Sequence, residues 1–373
     1  MLKKPAVRPL EANSDALLAV PHPKRMELCG ALEAFMQGLG RFGAAVLEEL
    51  LRDTGLTKGE VMRKLASLPG LLEALTNADG RIDLMQLEPL LTPLRYRALG
   101  GRIFEIRPEL DLLLAHTDIG AQAPSRFFRL PYPSVYLLFG AHGGGLRVIN
   151  EVENRVYALE GAYISELLVS EGYREGGLFE GIAATGSQRV CEITLVGKPE
   201  KGPFDDGYIF ARLLFPEQWE DDPLEVLIDR QLAVYESHGL SGLQDQGRQL
   251  LRAGVLHVAK ALLYLNSERA RTSSHAEEQE LRERLSRVKG GKRAKLERRL
   301  ARAYDRILVG PEQHEGSVAA FSGGRSVAAH WRRGHFRSQA HGEGRLLRKL
   351  LWIAPTLVAG PDAAIPFKDY DIK

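Results

Sequence analysis

The segment Val190-Cys191-Glu192-Ile193-Thr194-Leu195-Val196 alternates over most of its length between apolar and polar side chains. A period of two is typical of a strand, and polar side chains are expected on the solvated face of an antiparallel sheet. Short runs rich in Val, Ile, Leu and Tyr, separated by Gly, Asn and Pro, recur throughout residues 126–221. Residues 164–170 fit either a strand or a short helix. The sequence therefore predicts a central antiparallel sheet in this region, with strands at residues 134–139, 146–150, 156–159, 190–196 and 208–215.

Helical periodicity flanks this sheet region on both sides. Before it, apolar residues recur at helical spacing, as at Leu28, Leu32 and Phe35, which predicts a helical domain over residues 25–125. After it, a broad apolar stripe over residues 243–266 indicates a core helix. The prediction is an α+β fold with a helical N-terminal part, a central antiparallel sheet with core helices, a charged helical hairpin and a small basic C-terminal β module.

The remaining boundaries follow from composition. The first 24 residues contain four prolines and mixed polarity, so we expect a poorly ordered leader or an arm that docks elsewhere. Residues 222–310 are predicted to hold the core helices and the charged hairpin, and residues 311–373 the basic module. Within that module, the candidate strands are residues 317–321, 327–331 and 350–353.

The charged hairpin is predicted over residues 276–302, which carry ten Lys or Arg and five Glu and have a Gly290-Gly291 break between two helical stretches. Acids placed four residues before arginines, as in Glu278 and Arg282, stabilise exposed helices. Ser274 and Glu277 are expected to cap the first helix. Two interpretations of the charge remain open, namely a solvated face and a contact surface for RNA or a ribosome.

The charge of this chain is local rather than global. Its 373 residues have a formal net charge of only +2, with 44% hydrophobic and 26% charged residues, which is typical of a globular protein of two or three domains. Cys29 and Cys191 lie far apart in apolar surroundings, which argues against a disulfide framework and a zinc ribbon. Because no secretory signal and no bilayer-spanning apolar run occurs, we expect a cytoplasmic protein without membrane contacts.

The basic module holds the strongest candidate site. From Arg325 to Trp352 the chain has seven Lys or Arg and three His against one acid, Glu343, with aromatic residues between the charges. Arginine offers forked donors to phosphate, and the flat faces of Trp and Phe can stack on unpaired bases. This pattern predicts an RNA-binding surface made of Trp331, Arg332, Arg333, His335, Phe336, Arg337, His341, Arg345, Arg348, Lys349 and Trp352.

The same segment raises the question of catalysis. A metal-free ribonuclease could use two histidines as acid and base and an arginine to hold the phosphate, and His335, His341 and Arg337 supply these residue types. Histidines beside arginines are also common as plain phosphate donors or as loop scaffolding. The spacing of His330, His335 and His341 fits neither a helical nor a strand pair of metal ligands. We therefore predict no metal and no cofactor, and we assign no catalytic residue.

Two stretches of the C-terminal third resemble a known group of proteins. One is the charged hairpin with its Gly-Gly break, and the other is the basic segment that follows it. Over residues 275–360 these features resemble phage and plasmid proteins that include the type V-A anti-CRISPR family, which suppresses synthesis of an RNA-guided effector nuclease. The basic segment carries this resemblance through Arg333-Gly334-His335-Phe336-Arg337-Ser338-Gln339, Gly342-x-Gly344-Arg345, Arg348, Trp352-Ile353-x-Pro355 and Gly360.

The resemblance implies an unusual mechanism. The effector's N-terminal peptide would be recognised as it emerges from the ribosome, and this recognition would be coupled to loss of the message being translated. The implied partners are the nascent polypeptide of a CRISPR effector nuclease and an RNA or ribosome surface, in the cytoplasm of a bacterial host cell. The alternative is an RNA-binding or RNA-processing protein of a mobile element, a metal-free ribonuclease that uses the His/Arg cluster.

Overall fold

The structure, a computed structural model, describes residues 15–52, 63–64, 67–68, 88–139, 145–150, 155–169, 188–198, 207–237, 245–311, 319–320 and 330–359. The helices are α1 (Asp15–Leu18), α2 (His22–Leu28), α3 (Ala31–Gly38), α4 (Gly40–Arg52), α5 (Glu88–Ala98), α6 (Pro108–Ala115), α7 (Leu224–Ser237), α8 (Asp245–Leu265), α9 (Glu277–Arg287) and α10 (Gly291–Leu300). The strands are β1 (Arg102–Ile106), β2 (Thr117–Asp118), β3 (Ser134–Leu138), β4 (Arg147–Asn150), β5 (Arg155–Val169), β6 (Gln188–Gly197), β7 (Tyr208–Pro216), β8 (Thr272–His275), β9 (Arg306–Val309), β10 (Ala319–Ala320), β11 (His330–Arg332), β12 (Gly334–His341), β13 (Leu347–Ile353) and β14 (Thr356–Ala359).

The centre of the fold is a mixed sheet to which eight strands of the described chain belong. Seven of them follow one another in the order β7-β6-β5-β3-β1-β9-β8, and β4 pairs with β5. All pairs from β7 to β3 are antiparallel, as is the β4–β5 pair. Strand β1 runs parallel to both β3 and β9, and β8 pairs antiparallel with β9. The sheet thus joins an antiparallel half to strands that come from distant parts of the sequence.

One face of the sheet is apolar and is covered by α6, α7 and α8. Alternate strand residues such as Ala162, Ile193 and Leu195 point to this side and are fully buried in the main core, together with Val258 of α8. Helix α8 approaches so closely that a Cβ at Gly254 would lie 2.3 Å from Leu195 Cδ1. The alternation seen in the sequence therefore separates this buried apolar layer from a polar face on the other side.

The polar face carries the N-terminal helices. Glu192 of β6 forms an ion pair with Arg95 of α5, and it accepts a hydrogen bond from Arg212 Nε at 2.7 Å. The hydroxyl groups of Thr92 and Thr194 are hydrogen-bonded at 3.3 Å. Because the Glu192 side chain is only 4% exposed, the two guanidinium groups offset the cost of burying its charge. Helix α5 is thus held on the sheet by specific polar contacts.

The segment that contains α1 and α2 docks on the same polar face through a cluster around Glu160. Strand β5 has a bulge at this residue, and a bulge redirects a side chain out of the regular alternation. The Glu160 carboxylate accepts hydrogen bonds from the His22 backbone N–H at 2.6 Å, Arg25 Nη2 at 2.8 Å and the Tyr136 hydroxyl at 3.0 Å. Residues 15–24 of the predicted leader are therefore docked, and residues 1–14 lie outside the described residues.

The imidazole of His22 completes this cluster. Its Nδ1 is hydrogen-bonded to the Tyr163 hydroxyl at 2.7 Å, and its Nε2 to the Tyr208 hydroxyl at 2.5 Å. Burial, and in second place the charge of Arg25, lowers the pKa of His22 well below 6.5. A neutral imidazole donates from one nitrogen and accepts at the other, so it can satisfy both hydroxyl groups. Burial and the neighbouring Arg25 therefore favour the uncharged form of His22 in the docked segment.

We expect the free energy of unfolding to decrease as the pH falls below about 6.5, because His22 gains a proton in the unfolded chain there but stays neutral in the folded protein. This single group contributes at most about 1.4 kcal/mol per pH unit. Denaturant unfolding between about pH 7.5 and 5 measures the slope. The His22→Gln variant should have a shallower slope, and the partly exposed His275 changed to Gln is the control. Equal slopes in wild type and His22→Gln would contradict this expectation.

The α+β fold predicted from the sequence is confirmed. The predicted strands correspond to β3, β4, β6, β7 and the first part of β5, and residues 164–169 continue β5 rather than forming a helix. The charged hairpin consists of α9 and α10, which are separated at Gly290 with a φ of 74°. None of the described helices is both long and apolar enough to cross a membrane.

In the main body, the structure differs from the sequence prediction in its short strands and at the start of α9. Strands β1, β2, β8 and β9 lie in regions predicted to be helical, because each is a short strand whose pairing partners are remote in the sequence. Ser274 belongs to β8 and does not cap α9. Instead, Asp305 Oδ1 accepts hydrogen bonds from the backbone N–H groups of Glu278 and Gln279, at 2.9 and 3.3 Å.

Candidate functional site

The basic C-terminal segment forms a β-hairpin made of β12 and β13. The two strands pair antiparallel, from His335 opposite Ile353 to His341 opposite Leu347. Strand β12 also pairs in parallel with β2, which follows α6 of the main body. No strand is predicted from the sequence over residues 334–341, so β12 is a correction to the predicted module. The hairpin is a continuation of the main body rather than a separate unit.

The inner face of the hairpin packs against the main core. Phe336 and Leu350 are each only 1% exposed. The ring of Trp352 meets Tyr264 edge-on at a centroid distance of 5.0 Å, and its Nε1 donates a hydrogen bond to Thr117 Oγ1 at 3.3 Å. A buried ring presents no face to a base, so Phe336 is a core residue rather than the stacking residue predicted from the sequence. Trp352 also packs within the protein.

The opposite side, which we term the outer face, is formed by alternate residues of both strands. It combines cationic, imidazole, amide and apolar side chains, and its apolar members at positions 347 and 353 are 59% and 39% exposed. Arg337 Nη2 donates a hydrogen bond to Gln339 Oε1 at 3.3 Å. The outer face consists of His335, Arg337, Gln339 and His341 on β12 and of Leu347, Lys349, Leu351 and Ile353 on β13.

The turn between the two strands has an unusual backbone. Gly342 and Gly344 have φ angles of 74° and 62°, and Arg345 follows with a φ of 58°. Among the described residues, Arg345 is the non-glycine residue with positive φ, a conformation that costs an L-residue roughly 1–2 kcal/mol. The next residue, Leu346, is 85% exposed. The turn thus presents one cationic and one apolar side chain at the tip of the hairpin.

A second group of predicted residues lies beside the hairpin, where β11 pairs with β14. Trp331 stacks on His116 at a centroid distance of 4.7 Å, so one face of its ring is covered. Burial, followed by the charges of Arg333 and Lys260, lowers the pKa of His116. Arg333 Nη1 donates to Asp118 Oδ1 at 2.6 Å and is 65% exposed. These contacts give Trp331 and Arg333 structural partners within the protein.

The remaining predicted residues differ in how much of their charge is already paired. Lys349 Nζ donates a hydrogen bond to Glu268 Oε1 at 2.8 Å. Arg332 and Arg348 are exposed, as are Arg337 and Arg345. The hairpin therefore brings together His335, Arg337, His341, Arg345, Arg348 and Lys349, while Trp331, Arg332 and Arg333 lie on and next to β11.

The geometry of β12 argues against an acid–base pair formed by His335 and His341. The two residues lie on the same face of one strand, six positions apart, and are therefore separated by roughly 20 Å at about 3.3 Å per residue. An acid and a base that act on one phosphodiester must both be within hydrogen-bonding reach of it. The geometry therefore argues against a ribonuclease based on these two histidines. Both residues belong to the outer face. In the described part of the chain, no group of three or more His, Cys, Asp or Glu side chains could hold a metal ion.

Comparisons with known proteins identify a family. Residues 104–360 match the family model AcrVA2-like, described as the anti-CRISPR type V subtype A2 family. A solved structure titled "Crystal structure of AcrVA2" is similar to this chain with a TM-score of 0.49 and 14% sequence identity, over 88% of this chain and 97% of that chain. No curated protein matches the sequence. The family match includes the whole β12–β13 hairpin and the charged helical hairpin.

Proposed function

Because the chain belongs to the AcrVA2-like family of type V subtype A2 anti-CRISPR proteins, we propose that it blocks the synthesis of a type V-A CRISPR effector nuclease. In this proposal the protein recognises the effector's N-terminal peptide while it emerges from the ribosome and promotes loss of the translated mRNA. The observation that carries the proposal is the family match over residues 104–360. We assign the RNA contact in this proposal to the outer face of the C-terminal hairpin together with the exposed Arg345 and Arg348.

The chemistry of the C-terminal hairpin supports an RNA contact. Arg337 of the outer face, Arg345 of the turn and Arg348 at the start of β13 are exposed, and guanidinium groups bind phosphate oxygens through two parallel hydrogen bonds. The exposed Leu346 and Leu347 lie between these charges and offer apolar contacts to sugars or unpaired bases. Of the aromatic residues in the predicted surface, the ring of Phe336 is buried, so phosphate contacts would supply most of the affinity. Such a surface suits binding that is strong at low salt and largely independent of sequence.

We expect the protein to lower the amount of the effector nuclease without inhibiting the assembled enzyme. Co-expression with the effector gene should reduce both the effector protein and its mRNA, measured by immunoblotting and quantitative PCR. Purified protein added to a preassembled effector–guide complex should leave DNA cleavage unchanged. Strong inhibition of the preassembled complex, together with normal effector levels on co-expression, would overturn the proposal.

Two further experiments distinguish recognition of the peptide from recognition of the message and test the exposed arginines of the C-terminal hairpin. An effector gene recoded with synonymous codons should remain sensitive, whereas an effector with an altered N-terminal peptide should escape. The triple variant Arg337→Ala, Arg345→Ala and Arg348→Ala should lose the reduction in mRNA, because its RNA contact is weakened. The matched control removes the exposed cations Arg41, Arg52 and Lys198 and should keep full activity.

A further inference from the structure

The charged helical hairpin, α9 and α10, has an apolar seam of its own. Leu281 and Leu285 of α9 pack against Leu296 and Leu300 of α10, and Ala303 closes the seam. These residues form a cluster separate from the main core. The hairpin is therefore a projection with its own small core.

The hairpin is anchored to the protein at its base. Glu278 Oε2 accepts a hydrogen bond from Lys24 Nζ at 2.9 Å, and Glu277 Oε2 lies 3.3 Å from Arg306 Nη1. Asp305 accepts hydrogen bonds from the first backbone N–H groups of α9. In the described part of the chain, these polar contacts to the rest of the protein involve the first turn of α9 and the residues that follow α10. The base thus uses two of the hairpin's acids.

The part of the hairpin beyond this base is strongly basic. Residues 284–302 contain nine Lys or Arg and a single acid, Glu297, in a chain whose formal net charge is only +2. Glu297 Oε1 is already paired with Arg293 Nε at 2.9 Å. The positive charge of the projection is therefore concentrated at one place on the molecule rather than spread over it.

One side of α10 and of the turn that follows it carries a row of cations with no role in packing. Lys295 and Arg298 lie in α10, and Arg302 lies in the turn directly after it, where the Ala301 N–H still donates to the Glu297 carbonyl oxygen at 3.0 Å. The three residues follow one another at intervals of three and four, which in helical geometry places them on one side over about 10 Å at roughly 1.5 Å per residue. All three side chains are exposed, and none forms an ion pair with another described residue. Folding of the hairpin does not require these charges, because the apolar seam lies on the other side of the helix.

The composition of this face indicates which class of partner it can bind. No large apolar side chain of α9 or α10 is among the exposed ones, so the face lacks the anchors that a helix needs to bind a membrane surface. A regular row of cations instead matches the regular phosphates of a nucleic-acid backbone. We propose that Lys295, Arg298 and Arg302 form a second RNA-binding surface, distinct from the outer face of the C-terminal hairpin, which contacts the phosphate backbone of RNA. The choice of RNA rests on the proposed function, since RNA is the polyanion present where an effector is being synthesised.

The test uses the full chain and a fluorescein-labelled RNA stem–loop, with affinity measured by fluorescence anisotropy from about 50 to 300 mM KCl. We expect the Lys295→Glu, Arg298→Glu, Arg302→Glu variant to bind at least about tenfold more weakly, with a salt slope reduced by roughly 2 to 3 units. A control with the same change in net charge carries Arg41→Glu, Arg52→Glu and Lys198→Glu and should lose far less.

Circular dichroism and thermal unfolding check that the α10 variant is folded, and the corresponding triple Ala variant repeats the test without introducing acids. Binding and salt slope equal to those of the control, in both the Glu and the Ala variants, would overturn the proposal and point to an acidic protein as the partner. Failure of the proposed function would be recognised separately. In that case effector levels would be normal on co-expression, while the purified protein would still require α10 to bind the RNA stem–loop.

Discussion

Replacing Glu160 with Ala should lower the free energy of unfolding by about 3–5 kcal/mol, because Arg25 would be left as a buried charge without its carboxylate. Arg25 is fully buried and Glu160 is 8% exposed, so water cannot take over the lost hydrogen bonds. The backbone N–H of His22 and the hydroxyl of Tyr136 would lose the same acceptor. Denaturant unfolding at neutral pH measures the change.

The matched control for this experiment is an exposed ion pair between the same residue types. Glu33 and Arg97 join α3 to α5 and are 48% and 42% exposed, so Glu33→Ala should cost no more than about 1 kcal/mol. Removing both charges of the buried pair, with Arg25→Met and Glu160→Gln, should cost less than the two single substitutions added together. A loss from Glu160→Ala as small as that from Glu33→Ala would show that the N-terminal segment does not dock as described.

The second large effect is expected at Phe336. Its replacement by Ala should reduce the free energy of unfolding by about 3–5 kcal/mol, because the ring is 1% exposed and belongs to the main core. The Phe336→Leu variant keeps an apolar side chain in the same place, so its loss should be smaller. Thermal and denaturant unfolding of both variants provide the measurement.

RNA binding by these variants distinguishes the two roles considered for this residue. If Phe336 is a core residue, the Phe336→Leu variant should bind an RNA stem–loop as tightly as the wild type, since the outer face is unchanged. A stacking role would instead require an aromatic ring, and its loss is worth about 1–3 kcal/mol per base. Weaker binding of that size in a stable Phe336→Leu protein would return the residue to the binding surface.

The antiparallel half of the central sheet could be predicted because its signal is local. Strands such as β6 alternate regularly, and hairpin-type pairing joins segments that follow one another along the chain. The other half depends on partners far away, as when Phe104 of β1 pairs with Ile307 of β9. Four- and five-residue strands of this kind carry too little periodicity to distinguish them from the helices around them.

The candidate site could be located from the sequence, but its orientation could not. The excess of Lys and Arg identifies the segment, whereas the choice between core and surface depends on which residues share a strand face. The run His335-Phe336-Arg337 does alternate, which would have placed Phe336 inside if the strand had been recognised. The alternation does not continue through Ser338, Gln339 and Ala340, because neither face of β12 is uniformly apolar there.

The docking of the N-terminal segment could not be predicted from the sequence. His22 and Arg25 are polar residues in a stretch rich in proline, which is typical of exposed chain. Their burial depends on a bulge at Glu160, and that bulge is a property of the assembled sheet rather than of a local motif.

The contact between Arg25 and Glu160 also fixes an order of events during the protein's own biosynthesis. The two residues are 135 positions apart, so a ribosome that adds about 5–20 residues per second needs roughly 7 to 27 seconds to produce the second after the first. Throughout this interval the segment that contains Arg25 has been synthesised, but the Glu160 carboxylate that it contacts has not. During synthesis, the contact that docks the first helices can consequently form only after the bulged strand has been made.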